Sequence, residues 1–350
     1  MADPILHIKD SYYFEVPKVL WPAHYKSLDE LPPTLEFLKH EAVEQKLTID
    51  DVNRELSGKI VIPQPFGKLQ GFYAKQSGFA ISKFMVIEVA IAALLVFIFA
   101  RLAPKVASGR APQGYLWNMF EASLVFVRDG IARPAIDSHD EHDHSDHGHA
   151  PHDQGHDAHG HASVPVHAHR HDGDRFLPIL WTMFFFVLFC NLFGMIPWVG
   201  APTGSFSVTL ALAGCTFATT LIAGIFKFGP LGFWLNQVPT MDLPLPLAIL
   251  LKPMIFAIEL LGLCIKHGIL AVRLLANMVA GHLVLLAVMG LIVASAQAGD
   301  KLFGTYGIVM TISVLGSTAF SCLELFVAFL QAYVFTFLSA LFIGAAVHHH

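Results

Sequence analysis

Residues 259–282 read ELLGLCIKHGILAVRLLANMVAGH and lie inside an apolar run long enough to cross a membrane. Within this run, Glu259, Lys266 and Arg273 recur at intervals of seven residues, which is about two helical turns. The three charges therefore lie within roughly 40° of one another on one side of a helix. Because a charge near the bilayer centre costs at least about 2.5–3.5 kcal/mol, this side is predicted to face protein or water and to form the functional site.

The composition indicates a membrane protein with several spans. The chain is 54% hydrophobic and 14% charged, whereas soluble domains average about 25% charged residues. Several apolar runs exceed the roughly 20 residues that cross a bilayer. The net charge of −5 gives no indication of a nucleic-acid partner. We therefore predict an all-α polytopic protein with about five membrane helices in a lipid bilayer.

Changes in composition divide the chain into four predicted segments. The N-terminal segment mixes charges of both signs and has Pro-rich breaks, so we expect it to lie outside the membrane and to serve packing or assembly. Within it, residues 34–56 fit a short polar helix and the remainder fits irregular structure. The segments are an extramembrane part (1–83), a first span with an amphipathic helix (84–138), a disordered His-rich insert (139–175) and a membrane core (176–347).

Charges beside the first two helices predict the orientation of the chain. Arg101, Lys105 and Arg110 end the first span, 84–103, and the positive-inside rule places such a flank in the cytoplasm. The N-terminus is then outside, and the His-rich insert and the C-terminus are cytoplasmic. Residues 115–136 carry four charges among large apolar side chains, a pattern typical of an amphipathic helix on the cytoplasmic surface.

The membrane core is predicted to contain two ordinary spans, 176–196 and 206–226, followed by two much longer helices. Residues 253–297 number 45, which gives about 68 Å of continuous helix. A hydrocarbon layer of about 30 Å then requires a tilt of roughly 60°. Residues 307–347 give a second helix of about 60 Å. Breaks at glycines would instead shorten these helices, but we expect a strongly tilted, nearly horizontal hairpin that packs against the curved side of a large partner.

Polar residues on the two long helices form a candidate proton pathway. Asn277 follows Arg273 by four residues and flanks its guanidinium, while Glu324 and Gln331 lie seven apart on the second helix. A glutamate and a histidine on facing helices, such as Glu324 and His282, suit proton transfer. An arginine keeps its proton, so Arg273 is predicted to act as a fixed positive charge.

Simpler interpretations remain open for these residues. His282 and Asn277 could be interhelical hydrogen-bond partners, and Glu259 could be the counter-ion of Lys266. For Arg273, a structural ion pair needs an acidic partner, and Glu259 lies about 21 Å away along the same helix. A partner from another subunit is therefore the better explanation for Arg273.

Two motifs resemble subunit a of the F-type ATP synthase membrane sector. Residues 273–282 read RLLANMVAGH and fit that family's pattern Arg-Leu-x-x-Asn-x-x-Ala-Gly-His/Glu. Residues 324–335 read ELFVAFLQAYVF and are similar to the family's last helix. Residues 176–197 end in NLFGMIP and resemble its second span. Together these similarities cover most of residues 84–347.

The resemblance implies that Arg273 is the essential arginine that faces a ring of c subunits. It places the remaining polar residues on the proton pathway: Glu259, Asn277, His282, Glu324 and Gln331. His282 and Glu324 exchange the acid and the histidine that some members carry at the two positions.

The function implied by the resemblance is that of a non-catalytic stator subunit with two proton half-channels, without a cofactor or a metal ligand. Its expected partners are the c-ring, the peripheral-stalk b subunits and the rest of the F1Fo complex in a bacterial inner membrane. Coupling to H⁺ or to Na⁺ stays open, because the ring subunit holds the ion site.

The His-rich insert suggests a different class of protein. Residues 139–171 contain 12 histidines, and neutral imidazoles are good ligands for zinc or nickel. The alternative is therefore a metal-ion transporter with a His-rich cytoplasmic loop, although the insert also fits a disordered linker. The spans contain no His and Asp pair at i, i+4 spacing, and Arg273 and Lys266 would repel a divalent cation.

Overall fold

A computed structural model of the chain describes residues 10–44, 46–107, 114–136, 172–196, 199–230, 232–233, 245–297 and 303–347. The His-rich tract at 139–171 lies outside these residues. Among them, five helices are long and apolar enough to cross a membrane. The prediction of a predominantly helical, multi-pass membrane protein with five membrane helices is confirmed.

The principal elements follow one another along the chain as short strands, short helices and then long helices. They are β1 (Tyr13–Glu15), α1 (Glu36–Glu44), α2 (Ile49–Leu56), β2 (Lys59–Val61), β3 (Gly67–Gly71), β4 (Ala74–Gly78), α3 (Lys83–Ala107), α4 (Tyr115–Phe126), α5 (Arg133–Ile136), α6 (Leu177–Gly194), α7 (Phe206–Phe228), α8 (Leu245–Gln297) and α9 (Phe303–Val347).

The N-terminal segment is more regular than the sequence indicated. β1 and β2 pair antiparallel with Tyr13 opposite Val61, and β3 and β4 form a second antiparallel pair. The expectation of irregular structure was therefore wrong for this segment. The helix expected over 34–56 is two helices: α1 ends at Glu44, and α2 begins at Ile49, where Thr48 and Asp51 form a capping box. Apolar side chains from these elements form one small buried core: Tyr13, Leu31, Leu35, Phe37, Leu38, Ala42, Val52, Leu56, Leu69 and Phe72.

This N-terminal module is joined directly to the start of the first span. The Asp10 carboxylate accepts hydrogen bonds from the backbone N–H groups of Ser11 (3.0 Å) and Phe84 (3.3 Å). The backbone N–H of Lys83 donates to the Ser11 carbonyl at 2.8 Å. A carboxylate at a helix N-terminus satisfies donors that lack an intrahelical partner. Burial nevertheless raises the pKa of Asp10 above its usual value.

The contacts divide the chain into two compact units. The first comprises Met1–Ala107, Phe185–Gly214 and Lys266–Ala332, and the second comprises Ser108–Phe184, Cys215–Ile265 and Tyr333–His350. In the first unit, α3 buries Ile87, Ile91 and Leu95 at the four-residue spacing of one helix face. In the second unit, Trp181 donates to the Leu124 carbonyl at 3.0 Å and so links α6 to α4.

The two last helices are long and unbroken. α8 has 53 residues and α9 has 45, so the alternative of shorter pieces separated at glycines is excluded. α8 starts eight residues earlier than predicted and includes Pro253, as membrane helices tolerate proline when neighbouring groups satisfy the freed carbonyl. The strong tilt of the pair stays a prediction.

The predicted amphipathic helix over 115–136 is helical throughout, with a π-helical turn at Val127–Ala132 between α4 and α5. It does not belong to the five helices that are long and apolar enough to span. Its charged residues form ion pairs. Arg133 lies 3.1 Å from Asp129 in the same helix and 3.1 Å from Asp174, which precedes α6. These ion pairs hold the charged end of the helix against the turn that precedes α6.

Candidate functional site

The candidate site lies in the first unit, where two apolar helix faces meet. On α8 the buried residues Leu270, Leu274 and Met278 recur every four residues, and on α9 Ala328 and Ala332 do the same. Polar residues of the two helices contact one another beside these apolar faces. Four of them, Asn277, His282, Glu324 and Gln331, are called the polar cluster below.

Asn277 and Gln331 join the two helices directly. The Asn277 Nδ2 group donates to Gln331 Oε1 at 2.6 Å. Gln331 is only 3% exposed, and within the described residues its Nε2 group has no hydrogen-bond acceptor. A buried donor without a partner costs about 1–3 kcal/mol, so the amide is suited to binding a water or a passing polar group.

His282 and Glu324 form the second contact of the polar cluster. His282 Nδ1 lies 3.4 Å from Glu324 Oε1, and the two side chains are 19% and 8% exposed. This separation is within the range of an ion pair, but the two atoms do not form a hydrogen bond. Glu324 Oε1 accepts no hydrogen bond from the described part of the chain. Burying a carboxylate oxygen without a hydrogen-bond donor is energetically unfavourable. Glu324 Oε1 is therefore available to accept a hydrogen bond, and it lies beside the His282 imidazole.

A glycine allows this carboxylate to approach α8. A Cβ atom added at Gly281 would lie 2.7 Å from Glu324 Oε1, too close for an ordinary contact. At Gly290, on the same helix, an added Cβ would meet nothing within 4 Å. An alanine at position 281 would therefore displace the end of the Glu324 side chain, whereas one at position 290 would not.

The polar cluster adjoins a small cavity of about 20 Å³. About 10–15 Å³ is enough for one water if polar partners are present. The lining supplies both apolar walls and polar groups: Asn191, Met195, Leu274, Asn277, Met278, Glu324, Val327, Ala328 and Gln331. The geometry thus allows a water between the Glu324 carboxyl and the amides.

The sequence analysis missed two polar residues of this unit. Asn191 accepts a hydrogen bond from Thr203 Oγ1 at 2.8 Å and donates to the Ala328 carbonyl at 3.4 Å, which fixes α6 against α9. Glu88 lies in the first span, and its Oε1 atom is buried without a hydrogen-bond partner among the described residues. In the sequence, each of the two is visible as a polar side chain within an apolar span, the amide of Asn191 and the carboxylate of Glu88.

The charges at 259, 266 and 273 are not part of the polar cluster, although Asn277 lies only about 40° from Arg273 around α8. Glu259 and Lys266 are exposed and Arg273 is partly exposed. Over the described residues none of the three makes a hydrogen bond or an ion pair. These three residues are called the charged stripe below.

Apolar side chains beside the charged stripe are equally uncovered. Ile265, Ile269 and Val272 are each about half exposed. The structure therefore brings together four of the six predicted site residues, the polar cluster, and leaves Arg273 and Glu259 outside it. In the chain as described, no three His, Cys, Asp or Glu side chains are close enough to hold a metal ion.

A comparison with known families identifies the family of the chain. The family model described as ATP synthase A chain matches residues 162–344, which is more than half of the chain. The chain belongs to this family. The resemblance seen in residues 273–282 and 324–335 is thereby confirmed.

Several relatives share the name "ATP synthase subunit a". One from Myxococcus xanthus is 46% identical over 184 residues, covering 52% of this chain and 56% of the relative. One from an Anaeromyxobacter species is 33% identical over 349 residues, covering 98% and 70%. One from Chloroherpeton thalassium is 33% identical over 306 residues, covering 86% and 77%. The match thus spans little more than half of the first relative, and the metal-ion transporter alternative finds no support in these comparisons.

Proposed function

We propose that this chain is the stator subunit of an F-type ATP synthase that carries protons across the membrane through two half-channels. The observation that supports this function is the position of Arg273. It is a charge on a membrane helix, it has no hydrogen-bond or ion-pair partner among the described residues, and it does not belong to the paired polar cluster. A charge left in lipid would cost at least about 2.5–3.5 kcal/mol, so another subunit is expected to cover it.

The proposed partner of Arg273 is a ring of small subunits, each with a membrane carboxylate. An opposite charge within about 4–6 Å favours the ionised form of such a carboxylate. The exposed apolar side chains beside it, Ile265, Ile269 and Val272, provide the surface on which a ring helix would pack. The peripheral-stalk b subunits and the remainder of the F1Fo complex complete the proposed assembly.

The polar cluster is proposed to line a half-channel. A proton from the outer side passes His282 and Glu324, with Asn277 and Gln331 holding the intervening water, and neutralises a ring carboxylate. Glu259, further along the same helix, is assigned to a more remote part of the pathway.

Arg273 separates the two half-channels. A neutral ring carboxylate can turn through the lipid, and on its return it releases the proton to the inner half-channel and meets Arg273. The fixed positive charge then holds the carboxylate ionised and prevents a direct proton leak. Each proton crossing contributes about 2.3 kcal/mol per 100 mV, so several are needed for each ATP. The chain itself performs no bond chemistry.

The proposed location is a bacterial inner membrane with the N-terminal module outside. The cationic flank of the first span supports this orientation, because Arg101 and the following basic residues mark the cytoplasmic side. The His-rich insert and the C-terminus are then cytoplasmic.

Replacing Arg273 tests the proposed function. We expect Arg273→Ala to lower ATP-driven proton pumping by about 100-fold in inverted membrane vesicles, in the range found when a single electrostatic group is removed. The whole complex should still assemble, because Arg273 makes no hydrogen bond or ion pair within the described chain. Lys266→Ala is the matched control, since Lys266 is another unpaired cation of the same stripe, and it should keep most of the pumping. Normal pumping by an assembled Arg273→Ala complex would refute the proposal.

A further inference from the structure

The second unit contains a larger cavity that the proton pathway does not use. It lies where α6 begins and α7 ends and has a volume of about 500 Å³. Pockets for small molecules usually measure about 300–1,000 Å³. Its walls are mainly apolar, with Pro178 and Ile179 from α6 and Ile222 and Phe226 from α7. The size and the walls suit a hydrocarbon chain.

Two cations line the same cavity, Arg175 and Lys227. Arg175 comes just before α6, and Lys227 is the penultimate residue of α7. Both helices are candidate membrane spans, so their ends lie at the level of the lipid headgroups. The cavity therefore combines an apolar wall at hydrocarbon depth with positive charge at headgroup depth.

The Arg175 guanidinium is available to bind an anion. It is exposed, and within the described residues it makes no hydrogen bond or ion pair. The neighbouring carboxylate, Asp174, is engaged by both Nε and Nη2 of Arg133, at 3.2 and 3.1 Å. The adjacent acid is thus neutralised by another arginine, and the positive charge of Arg175 is left uncompensated at the rim of the cavity.

We propose that this cavity binds an anionic phospholipid, with its phosphate at Arg175 and Lys227 and an acyl chain along Ile179 and Ile222. Basic pockets between membrane helices are a recurring form of anionic-lipid site. A guanidinium binds two phosphate oxygens at once, which favours a phosphate over a neutral headgroup. The site is separate from the proposed proton pathway, and its existence does not depend on that function.

Photolabelling of the intact complex tests this site. The whole ATP synthase is placed in nanodiscs that contain a photoactivatable phosphatidylglycerol or the matching phosphatidylcholine, and labelled peptides are quantified by mass spectrometry. We expect the anionic lipid to label peptides of α6 and α7 about 25-fold more than the zwitterionic one, at roughly fivefold for each cation. Excess inorganic phosphate should not reduce this labelling, because it lacks the acyl chain.

Three variants separate the contributions to binding. Arg175→Gln combined with Lys227→Gln should remove the preference for the anionic lipid. Lys252→Gln is the control, because Lys252 is an exposed cation near the start of α8 that does not line the cavity. Ile222→Trp should fill the cavity and reduce labelling by both lipids while leaving the charges in place.

Several results would overturn the proposal. Equal labelling by the two lipids, or a preference that survives in the double variant, would show that the cations do not bind a headgroup. Loss of labelling with inorganic phosphate alone would indicate a simple anion site. A polypeptide cross-linked at this position instead of a lipid would assign the cavity to a protein partner. Because pumping by Arg273→Ala is measured separately, failure of this site would leave the proposed function standing.

Discussion

Asn277 and His282 of the polar cluster lie on the same helix as the charged stripe, α8, yet the surroundings of the two groups differ. In the polar cluster, Asn277 bonds to Gln331 and His282 lies beside Glu324, so the second long helix of the same chain supplies both partners. In the charged stripe, Arg273 and Lys266 have no hydrogen-bond or ion-pair partner in the described chain. We infer that the polar groups of Asn277 and His282 are paired within the chain, whereas the charged stripe is completed by another subunit.

The free-energy cost of leaving the charged or polar groups of each region without a partner explains this difference. Each charge of the stripe would cost at least about 2.5–3.5 kcal/mol in lipid. The buried amide and carboxylate of the polar cluster would cost about 1–3 kcal/mol for each unpaired group. A mutation in the stripe should therefore affect the interface with a partner, whereas a mutation in the cluster should affect the internal arrangement of α8 and α9.

The largest effect within the polar cluster is expected at Glu324. Glu324→His leaves two imidazoles and no acid beside the cavity, so proton pumping should fall about 100-fold, as for the loss of a general acid or base. The double variant H282E/E324H restores one acid and one imidazole at the same two positions. Pumping in inverted vesicles should recover to within about tenfold of the wild type. A double variant as inactive as the single one would show that the two side chains do not act as a pair.

Replacing Gly281 tests how closely the Glu324 carboxylate must approach α8. Gly281→Ala places a Cβ atom 2.7 Å from Glu324 Oε1, so the carboxylate must move away from His282. We expect about a tenfold loss of pumping, which corresponds to roughly 1.4 kcal/mol. Gly290→Ala, whose Cβ meets nothing within 4 Å, should retain wild-type pumping. Equal activity of the two variants would contradict a precise placement of Glu324.

The amide pair should have a smaller effect. Asn277→Ala removes the 2.6 Å hydrogen bond to Gln331, a contact expected to contribute about 0.5–1.5 kcal/mol. Pumping should fall about threefold, equivalent to roughly 0.6 kcal/mol. Ser317→Ala serves as the control, because that exposed hydroxyl bonds only to the backbone of its own helix. A loss as large as that of Glu324→His would place Asn277 in the proton-transfer step itself.

Glu259 is expected to give the smallest effect. It is exposed, lies outside the polar cluster and has no partner over the described residues. Glu259→Gln should therefore reduce pumping no more than about twofold, or roughly 0.4 kcal/mol. A reduction comparable with that of Arg273→Ala would extend the essential part of the pathway along α8 to residue 259.

Much of the membrane core could be predicted from hydrophobic pattern and charge spacing. The spans appear as apolar runs because every lipid-facing position must be apolar, and this signal is local in sequence. The contact between His282 and Glu324 could be anticipated. Both are polar residues on long apolar helices, and such residues must face protein or water. The start of α8 was predicted too late, because Pro253 ends most helices in water but not in a membrane.

The remaining features depend on contacts between distant parts of the chain. β1 and β2 pair across residues 13 and 61, and each strand has only three residues, so neither has a local pattern of its own. The function of Gly281 likewise depends on a carboxylate 43 positions away, which no spacing rule on α8 reveals. Asn191 could be seen as a polar residue within a span, but its bond to Thr203 depends on the turn that follows α6.

Photo-cross-linking within the assembled complex tests most directly whether another subunit covers the charged stripe. A p-benzoylphenylalanine residue replaces Val272, which is 52% exposed beside Arg273, or, as the control, Val96, which is 69% exposed on the first span. We expect irradiation at position 272 to link this chain to the small ring subunit, and irradiation at position 96 not to do so. If position 272 reacts only with lipid, or if both positions reach the ring equally, the inference that Arg273 faces the ring is wrong.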